Sequence, residues 1–285
     1  MEFMNLSKPL ADVYIPDASS IETALSRTTH LGIGAHQDDL EVFAYHGISE
    51  CYRQLDRWFS GVILTDGAGS SRTGVYANCS NEDMQQIRIG EQRKAAYVGE
   101  YSVQLQLLFP SAEIKDAGNL APAEDLLTIL NATKPKVVYL HNPADKHDTH
   151  IATLLRCIDA LRAMDPADRP EQILGCEVWR DLDWMVDSDK QILPSDKYPN
   201  LAAALIGLFD SQITGGKRYD LAVPGRRLAN ATMFDSHSSD DSSGLTWAMD
   251  LKPLIDDPSL DIADFTLSYI DRFRNDVKDR ISKFS

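Results

Sequence analysis

Two stretches of this sequence concentrate groups that could do chemistry. The first is His36-Gln37-Asp38-Asp39-Leu40-Glu41, where a histidine and a carboxylate, His36 and Asp39, stand three residues apart. At a turn between a strand and a helix both can reach one cation, and zinc takes neutral imidazole and carboxylate together. The second is His141-Asn142-Pro143-Ala144-Asp145-Lys146-His147-Asp148-Thr149-His150, with two imidazoles, His147 and His150, at the same spacing. Joined, the two stretches could form a site of two histidines and one carboxylate, with a position open for water. Blander readings exist: His-x-x-Asp is common by chance, Asp38 and Asp39 could cap a helix, and His141 and His147 could be loop residues without a role. Three carboxylates beside a histidine, however, are costly to hold together without a cation. Two such segments, each following a strand of one sheet, favour the metal site.

The elements around them set the positions. His30-Leu31-Gly32-Ile33-Gly34-Ala35 has the pattern of a buried strand that delivers His36 at its end. A second strand is expected at 59–65, ending in the loop Asp66-Gly67-Ala68-Gly69. Ser80 with Asp83 signals a helix start, and Met84, Ile87, Ala95 and Val98 continue at helical spacing, with Glu91 the polar exception on that face. A strand at 103–109 and a helix at 123–132, stopped before Lys134-Pro135, come next. Val137-Val138-Tyr139-Leu140 is a third clear strand core. It leads to an amphipathic helix through Ile151, Leu154, Leu155, Ile158, Leu161 and Met164, with His150 in or near the first turn. Alternating strands and helices predict an α/β fold with a mostly parallel sheet and right-handed crossovers, whose ligands bind beyond the carboxyl ends of the strands.

The expected organisation is one domain: an irregular N-terminal arm (1–28) with a short helix at 20–26, a core (29–180), and a C-terminal elaboration (181–285) that shapes the substrate pocket. In the last third a strand is expected at 173–178 and a helix at 201–209. A Gly- and Arg-containing stretch follows at 215–227, then a mobile Ser/Asp-rich loop at 236–244 and a terminal helix at 264–284.

Composition narrows the partners. The 285 residues carry 28 Lys+Arg against 43 Asp+Glu, a net charge of −15, with 43% hydrophobic and 25% charged residues. The chain is too apolar for a disordered one. Its acidity argues against nucleic acid or an anionic membrane as partner and for a small substrate. No apolar run reaches the ~18–20 residues of a membrane span. The N-terminus lacks a secretory pattern, and Cys51, Cys79, Cys157 and Cys176 form no CxxC pair. Reduced thiols in a cytoplasmic protein are expected.

Ala35-His36-Gln37-Asp38-Asp39-Leu40-Glu41 resembles the Ala-His-Pro-Asp-Asp-Glu signature of the LmbE-like, or PIG-L, zinc-dependent N-acetylglucosaminyl deacetylases. His147-Asp148-Thr149-His150 resembles that family's His-x-x-His. Thr65-Asp66-Gly67 and Arg88-Ile89-Gly90-Glu91 resemble its intervening loop and helix, so the likeness runs in order from about Leu31 to Met164. Gln37 stands where the family has proline, and Leu40 is inserted before Glu41. The resemblance implies a Rossmann-like three-layer sandwich and one zinc ion per chain held by His36, Asp39 and His150. It implies Asp38 as general base for the attacking water, and His147 as stabiliser of the oxyanion, helper in protonating the leaving amine, or orienting partner of another ligand.

Further candidates are substrate contacts: Arg72 in the loop after the second strand, Gln212, and His237, the only histidine after His150. Lys217, Arg218, Arg226 and Arg227 form a basic group that could bind an anionic substituent or pair with surface carboxylates. Glu91 calls for a partner such as Arg88 or a loop amide. His30 and His46 have structural or exposed roles, and Trp179, Trp184 and Trp247 are core or sugar-stacking residues. The expected function is removal of an N-acetyl group from an N-acetylglucosamine-type amino sugar or its conjugate, with self-association into a homo-oligomer left open. The rivals are a metal-dependent amidase on a non-sugar N-acyl amine, and a sugar- or nucleotide-binding protein or divalent-cation glycosyl transferase. The last is disfavoured because no glycine-rich phosphate loop follows the first strand.

Overall fold

The computed structural model describes residues 4–285; the first three residues of the expected arm lie outside the described residues. The strands are β1 (Asp12–Tyr14), β2 (His30–Gly34), β3 (Phe59–Thr65), β4 (Gln104–Phe109), β5 (Val137–His141), β6 (Gln172–Cys176), β7 (Gln191–Pro194) and β8 (Leu245–Asp250). They form one sheet in the order β1-β4-β3-β2-β5-β6-β8-β7. The five central strands, β4-β3-β2-β5-β6, run parallel. The outer strands β1, β8 and β7 pair antiparallel. From β2 the chain winds through β3 to β4 on one side, then returns to build β5 and β6 on the other. The order therefore reverses between β2 and β5, and a crevice opens at their carboxyl ends.

Among the described residues twelve α-helices flank the sheet: α1 (Ile21–Ser26), α2 (Asp39–Phe43), α3 (Tyr45–Cys51), α4 (Asn81–Val98), α5 (Ser111–Lys115), α6 (Ala121–Thr133), α7 (Asp148–Ala163), α8 (Pro199–Gly207), α9 (Asp210–Ile213), α10 (Tyr219–Met233), α11 (Lys252–Asp256) and α12 (Ile262–Ser282). Alternation along the strands divides the core in two. Leu31, Ile33, Val62, Val138 and Leu140 pack with Leu126 and Leu130 of α6 and Leu154, Ile158 and Leu161 of α7. The opposite face carries Ile63 and Tyr139 against Leu40 and Phe43 of α2, Ile48 of α3, Ala95 of α4 and Leu205 of α8. This is the three-layer sandwich expected.

Ser80 and Asp83 close a reciprocal capping box at the start of α4, as their spacing predicts. The arm is not irregular throughout: β1 adds an edge strand beside β4, anchored by Asp12, which accepts from Arg93 and from Gln106 Nε2. Three residues are too few for a periodic signal. The expected Gly/Arg stretch is largely helical, since α10 runs through Pro224 to Met233. The loop at 236–244 is mostly exposed, and β8 follows it to close the sheet with β7. The four cysteines are unpaired, three of them buried. Among the described residues no helix is long and apolar enough to cross a membrane.

α2 lies so close to the strands that a Cβ at Gly32 or Gly61 would meet Leu40 at 2.9 and 2.7 Å. Leu40, the residue inserted in the first motif, is fully buried and seats α2 on the sheet. Leu40→Ala is expected to lower the unfolding free energy by about 2–5 kcal/mol in urea titrations; a loss under about 1 kcal/mol would contradict this packing role.

Candidate metal centre

The turn after β2 and the loop after β5 meet at the reversal point. Donor atoms of His36, Asp39 and His150 all lie within 4.8 Å of one another. His36 Nδ1 is 3.2 Å from His150 Nε2 and 3.5 Å from Asp39 Oδ2, and His150 Nε2 is 3.4 Å from Asp39 Oδ1. The His36 backbone N–H donates to Asp39 Oδ2 at 2.7 Å, which shapes the turn.

The chemistry of these donors suits a cation. Buried Asp145 accepts from His150 Nδ1 at 3.0 Å, so the lone pair of the neutral ring sits on Nε2, aimed at His36 and Asp39. Burial pushes the His150 pKa down to about 4, with His141 adding to the fall, so the ring is neutral at pH 7. Burial alone would raise Asp39, yet the facing His150 and His141 hold its carboxyl well below the usual range. Two imidazoles and a carboxylate converging on one point are the donor set zinc accepts. Asp145 is in turn held by the backbone N–H groups of Lys146, Arg180 and Trp179.

Asp38 belongs to a different environment. It adopts a left-handed conformation, φ 85° and ψ −28°, which strains a non-glycine residue. It starts α2 but its side chain caps nothing; its Oδ2 instead accepts from Arg88 Nη2 at 2.8 Å. Buried Arg88 also donates to Gln37 O, to Glu91 Oε2 at 3.0 Å and to Ser211 Oγ at 3.2 Å. Glu91 accepts from the Ser211 N–H at 2.7 Å as well, so the polar exception of α4 pairs with Arg88 and with an amide in the first turn of α9 rather than in a loop. The Asp38 N–H donates to Gln92 Oε1 at 3.1 Å, and Gln92 Nε2 donates to Glu41 Oε1 at 2.9 Å. Burial lifts the Asp38 pKa to about 6; Arg88 restrains the rise and Asp39 adds to it.

His147 heads α7, where its Nδ1 accepts from the Thr149 N–H at 3.3 Å, which puts the proton of a neutral ring on Nε2, and its ring centre lies 4.9 Å from that of His36. Burial and then His36 lower its pKa, which favours a neutral ring. His141 is not a spare loop residue. It ends β5 fully buried, its ring 3.9 Å from that of His150 and its Nε2 accepting from the Ala35 N–H at 3.0 Å.

The other expected contacts lie elsewhere. Arg72 donates to Ala68 O in its own loop and to Asn81 Oδ1 at the start of α4, both at 2.7 Å. Gln212 is buried beside Ser211. His237 is exposed in the loop after α10, its N–H on Asp235. None of the three lines the cavity next to Asp38 and Asp39; Trp179, Tyr219, Arg226 and Arg227 do. Trp247 is core and Trp184 half-buried. Sequence reasoning missed Asp145, whose only signal is its place five residues before His150, and Gln92, one helical turn after Arg88.

Two expectations concern the acids. Arg88→Met would leave Asp38 and Glu91 buried without their cation and cost about 3–5 kcal/mol of stability, measured by denaturant unfolding; a near-neutral result would refute the pairing. Glu41, buried and pushed up to about 8, is protonated in the folded protein at neutral pH. Its contribution is complete below pH ~4.5 and is lost as pH rises to about 8. Wild type should therefore lose about 1.4 kcal/mol per pH unit relative to Glu41→Gln over pH 5–8; parallel stability curves would refute it.

Residues 31–161 match the family model described as PIG-L: GlcNAc-PI de-N-acetylase. Among solved structures the chain is similar to the 4-carboxy-2-hydroxymuconate hydratase of Pseudomonas putida KT2440, at 16% identity and TM-score 0.60, covering 79% of this chain and 95% of that one. It is similar to the N,N'-diacetylchitobiose deacetylase of Pyrococcus horikoshii, at 15% identity and TM-score 0.57 over 78% of this chain and 84% of that one. It is also similar to the A40926 pseudoaglycone deacetylase, at 14% identity and TM-score 0.57 over 79% and 97%. At these identities the likeness is one of fold. No curated protein is significantly similar to the chain in sequence.

Proposed function

We propose, from the match of residues 31–161 to the PIG-L family model, that the chain is a zinc-dependent hydrolase that removes an N-acetyl group from an N-acetylglucosamine-type amino sugar or its conjugate. His36, Asp39 and His150 would hold one ion per chain. The observation that carries the reading is the convergence of these three donors from segments more than a hundred residues apart, with Asp38 beside them but tied to Arg88. A zinc ion supplies Lewis acidity, lowering the pKa of water to about 7 and polarising the acyl oxygen.

Asp38 is the general base. Ionised at neutral pH yet more basic than an ordinary carboxylate, it takes a proton from the attacking water as the new C–O bond forms. His147 donates its Nε2–H to the acyl oxygen as that oxygen becomes anionic, an interaction typically worth ~10²–10³-fold. The proton held on Asp38 then passes to the amine nitrogen as the C–N bond breaks, releasing acetate and the free amino sugar. The opposed pKa directions of Asp38 and Asp39 fit a base and a ligand, respectively. Four unpaired thiols fit a reducing cytoplasmic setting.

Elemental analysis and acetate release from N-acetylglucosamine derivatives test the proposal. The expected result is one zinc per chain, activity lost on chelation and regained with zinc, and no metal in His150→Ala. Asp38→Asn should keep its zinc and lose ~10²–10⁴-fold in kcat. Tight zinc retention in both His36→Ala and His150→Ala would overturn the site. Acetate release from N-acetyl amino acids but from no sugar would overturn the substrate class.

A further inference from the structure

A cavity of about 160 Å³ adjoins the three-donor cluster, between α2, α10 and the segment after β6. A single water needs only about 15 Å³, so the space admits an organic group. Asp38 and Asp39 lie at its wall together with Val42, Val178, Trp179 and Val223. The remaining charged lining residues are Glu177, Arg226 and Arg227, and their balance is uneven.

Each carboxylate there is answered from within the protein. Asp38 pairs with Arg88, and Asp39 lies among three imidazoles. Glu177 accepts from Asn230 Nδ2, from the Trp247 N–H at 3.0 Å and from the Leu182 N–H at 3.2 Å. The arginines face Glu177 across the cavity without contacting it closely. Among the described residues, neither Arg226 nor Arg227 forms an ion pair within 4.0 Å. Arg227 is only 7% exposed; its Nη2 donates to Glu41 O and Val42 O at 2.8 and 2.9 Å, and its Nε has no partner. Half-buried Arg226 donates to Val178 O. Although burial lowers the Arg227 pKa to about 10, the group stays charged at neutral pH. The Arg227 guanidinium also lies 4.6 Å from the centre of the Tyr45 ring, but neither that ring, the carbonyl dipoles nor Glu177 beyond ion-pair distance is a hydrogen-bonded counter-anion, and a planar carboxylate matches its fork.

The helix phase makes this an arranged site. Val223, Arg226, Arg227 and Asn230 stand at i, i+3, i+4 and i+7 of α10, the face turned to the sheet. Tyr219, one turn earlier, meets Trp179 edge to face at 6.3 Å, and Lys217 Nζ sits 4.9 Å from the Trp179 ring. The aromatic walls of Trp179 and Tyr219 suit a sugar face.

We propose that this cavity is a carboxylate subsite, and that the substrate is an acidic N-acyl amino sugar whose carboxylate binds Arg226 and Arg227 while its acyl group lies at Asp38. The inference rests on the deacetylase reading above and narrows its substrate class.

The test compares N-acetylglucosamine with N-acetylmuramic acid, N-acetylneuraminic acid and N-acetylglucosaminuronic acid on the zinc-loaded protein. Acetate release gives kcat/KM, and calorimetry on Asp38→Asn gives Kd without turnover. At least one acid should exceed the neutral sugar by about 10- to 100-fold in both, the scale of one or two charge-assisted hydrogen bonds. The acid-to-neutral ratio should fall toward one in Arg226→Gln and Arg227→Gln. Because a ratio within one variant is insensitive to the fraction folded, partial unfolding of Arg227→Gln leaves the result readable, and Arg226→Gln repeats it at a less buried position. Acetate release without acid preference, or a preference that survives both substitutions, overturns the subsite and leaves the hydrolase standing. Acid-selective, arginine-dependent binding without acetate release from any sugar supports the subsite and overturns the hydrolase. Failure of both readouts overturns both.

Discussion

The buried guanidinium of Arg88 holds the candidate site in shape. It reaches from α4 across the carboxyl edge of the sheet and grips the turn after β2 twice, through Asp38 Oδ2 and Gln37 O. That turn bends through a left-handed residue, which costs of order 1–3 kcal/mol and persists only where its surroundings enforce it. Gln92, four residues along the same helix, holds the Asp38 N–H, and Glu41 with Tyr101 holds Gln92 and its surroundings in turn. A helix capped at Ser80 thus fixes the conformation of a turn about fifty residues earlier, and that turn fixes where His36 and Asp39 point.

The sheet supplies the second constraint. Parallel winding that reverses between β2 and β5 brings two sequence-distant loops to one crevice. Of the five parallel strands, these two flank the reversal, and each is followed by a short segment rich in histidine and aspartate, 36–39 after β2 and 145–150 after β5. Glycines in β2 and β3 let α2 lie close on the sheet, so the carboxylates of its first turn are buried rather than solvated. Burial gives their neighbours leverage: an imidazole or guanidinium at 3 Å moves a carboxylate far more in a low-dielectric crevice than on the surface.

Much of this was legible from the residues. Strong apolar runs marked β2, β3 and β5, helical spacing marked α4 and α7, and the His/Asp motifs after β2 and β5 pointed to the same edge. What escaped lacked a local signal. β1 is three residues long, and β8 emerges from a Ser/Asp-rich loop. α10 begins beside glycines and contains Pro224, so propensity argues against it while Val223, Arg227 and Asn230 bury its inner face. Asp145 and Gln92 act through partners that only tertiary structure brings near. Arg72 and His237 drew notice by residue type, but type carries no direction. One side chain turns back on its own loop, and the other lies in an exposed segment.

Asp38 and Asp39 make the sharpest case for environment over identity. They are adjacent, chemically the same and almost equally buried. Asp39 faces imidazoles and is driven to the ionised form far below its usual pKa. Asp38 faces a guanidinium already shared with Glu91 and lies beside Asp39, so burial prevails and its pKa rises. A backbone that reverses hand between them sends the two side chains into these separate surroundings. The left-handed φ at Asp38 thus accompanies the division: in a regular helix start, both carboxylates would compete for the same cations, and their pKa values would not part in opposite directions.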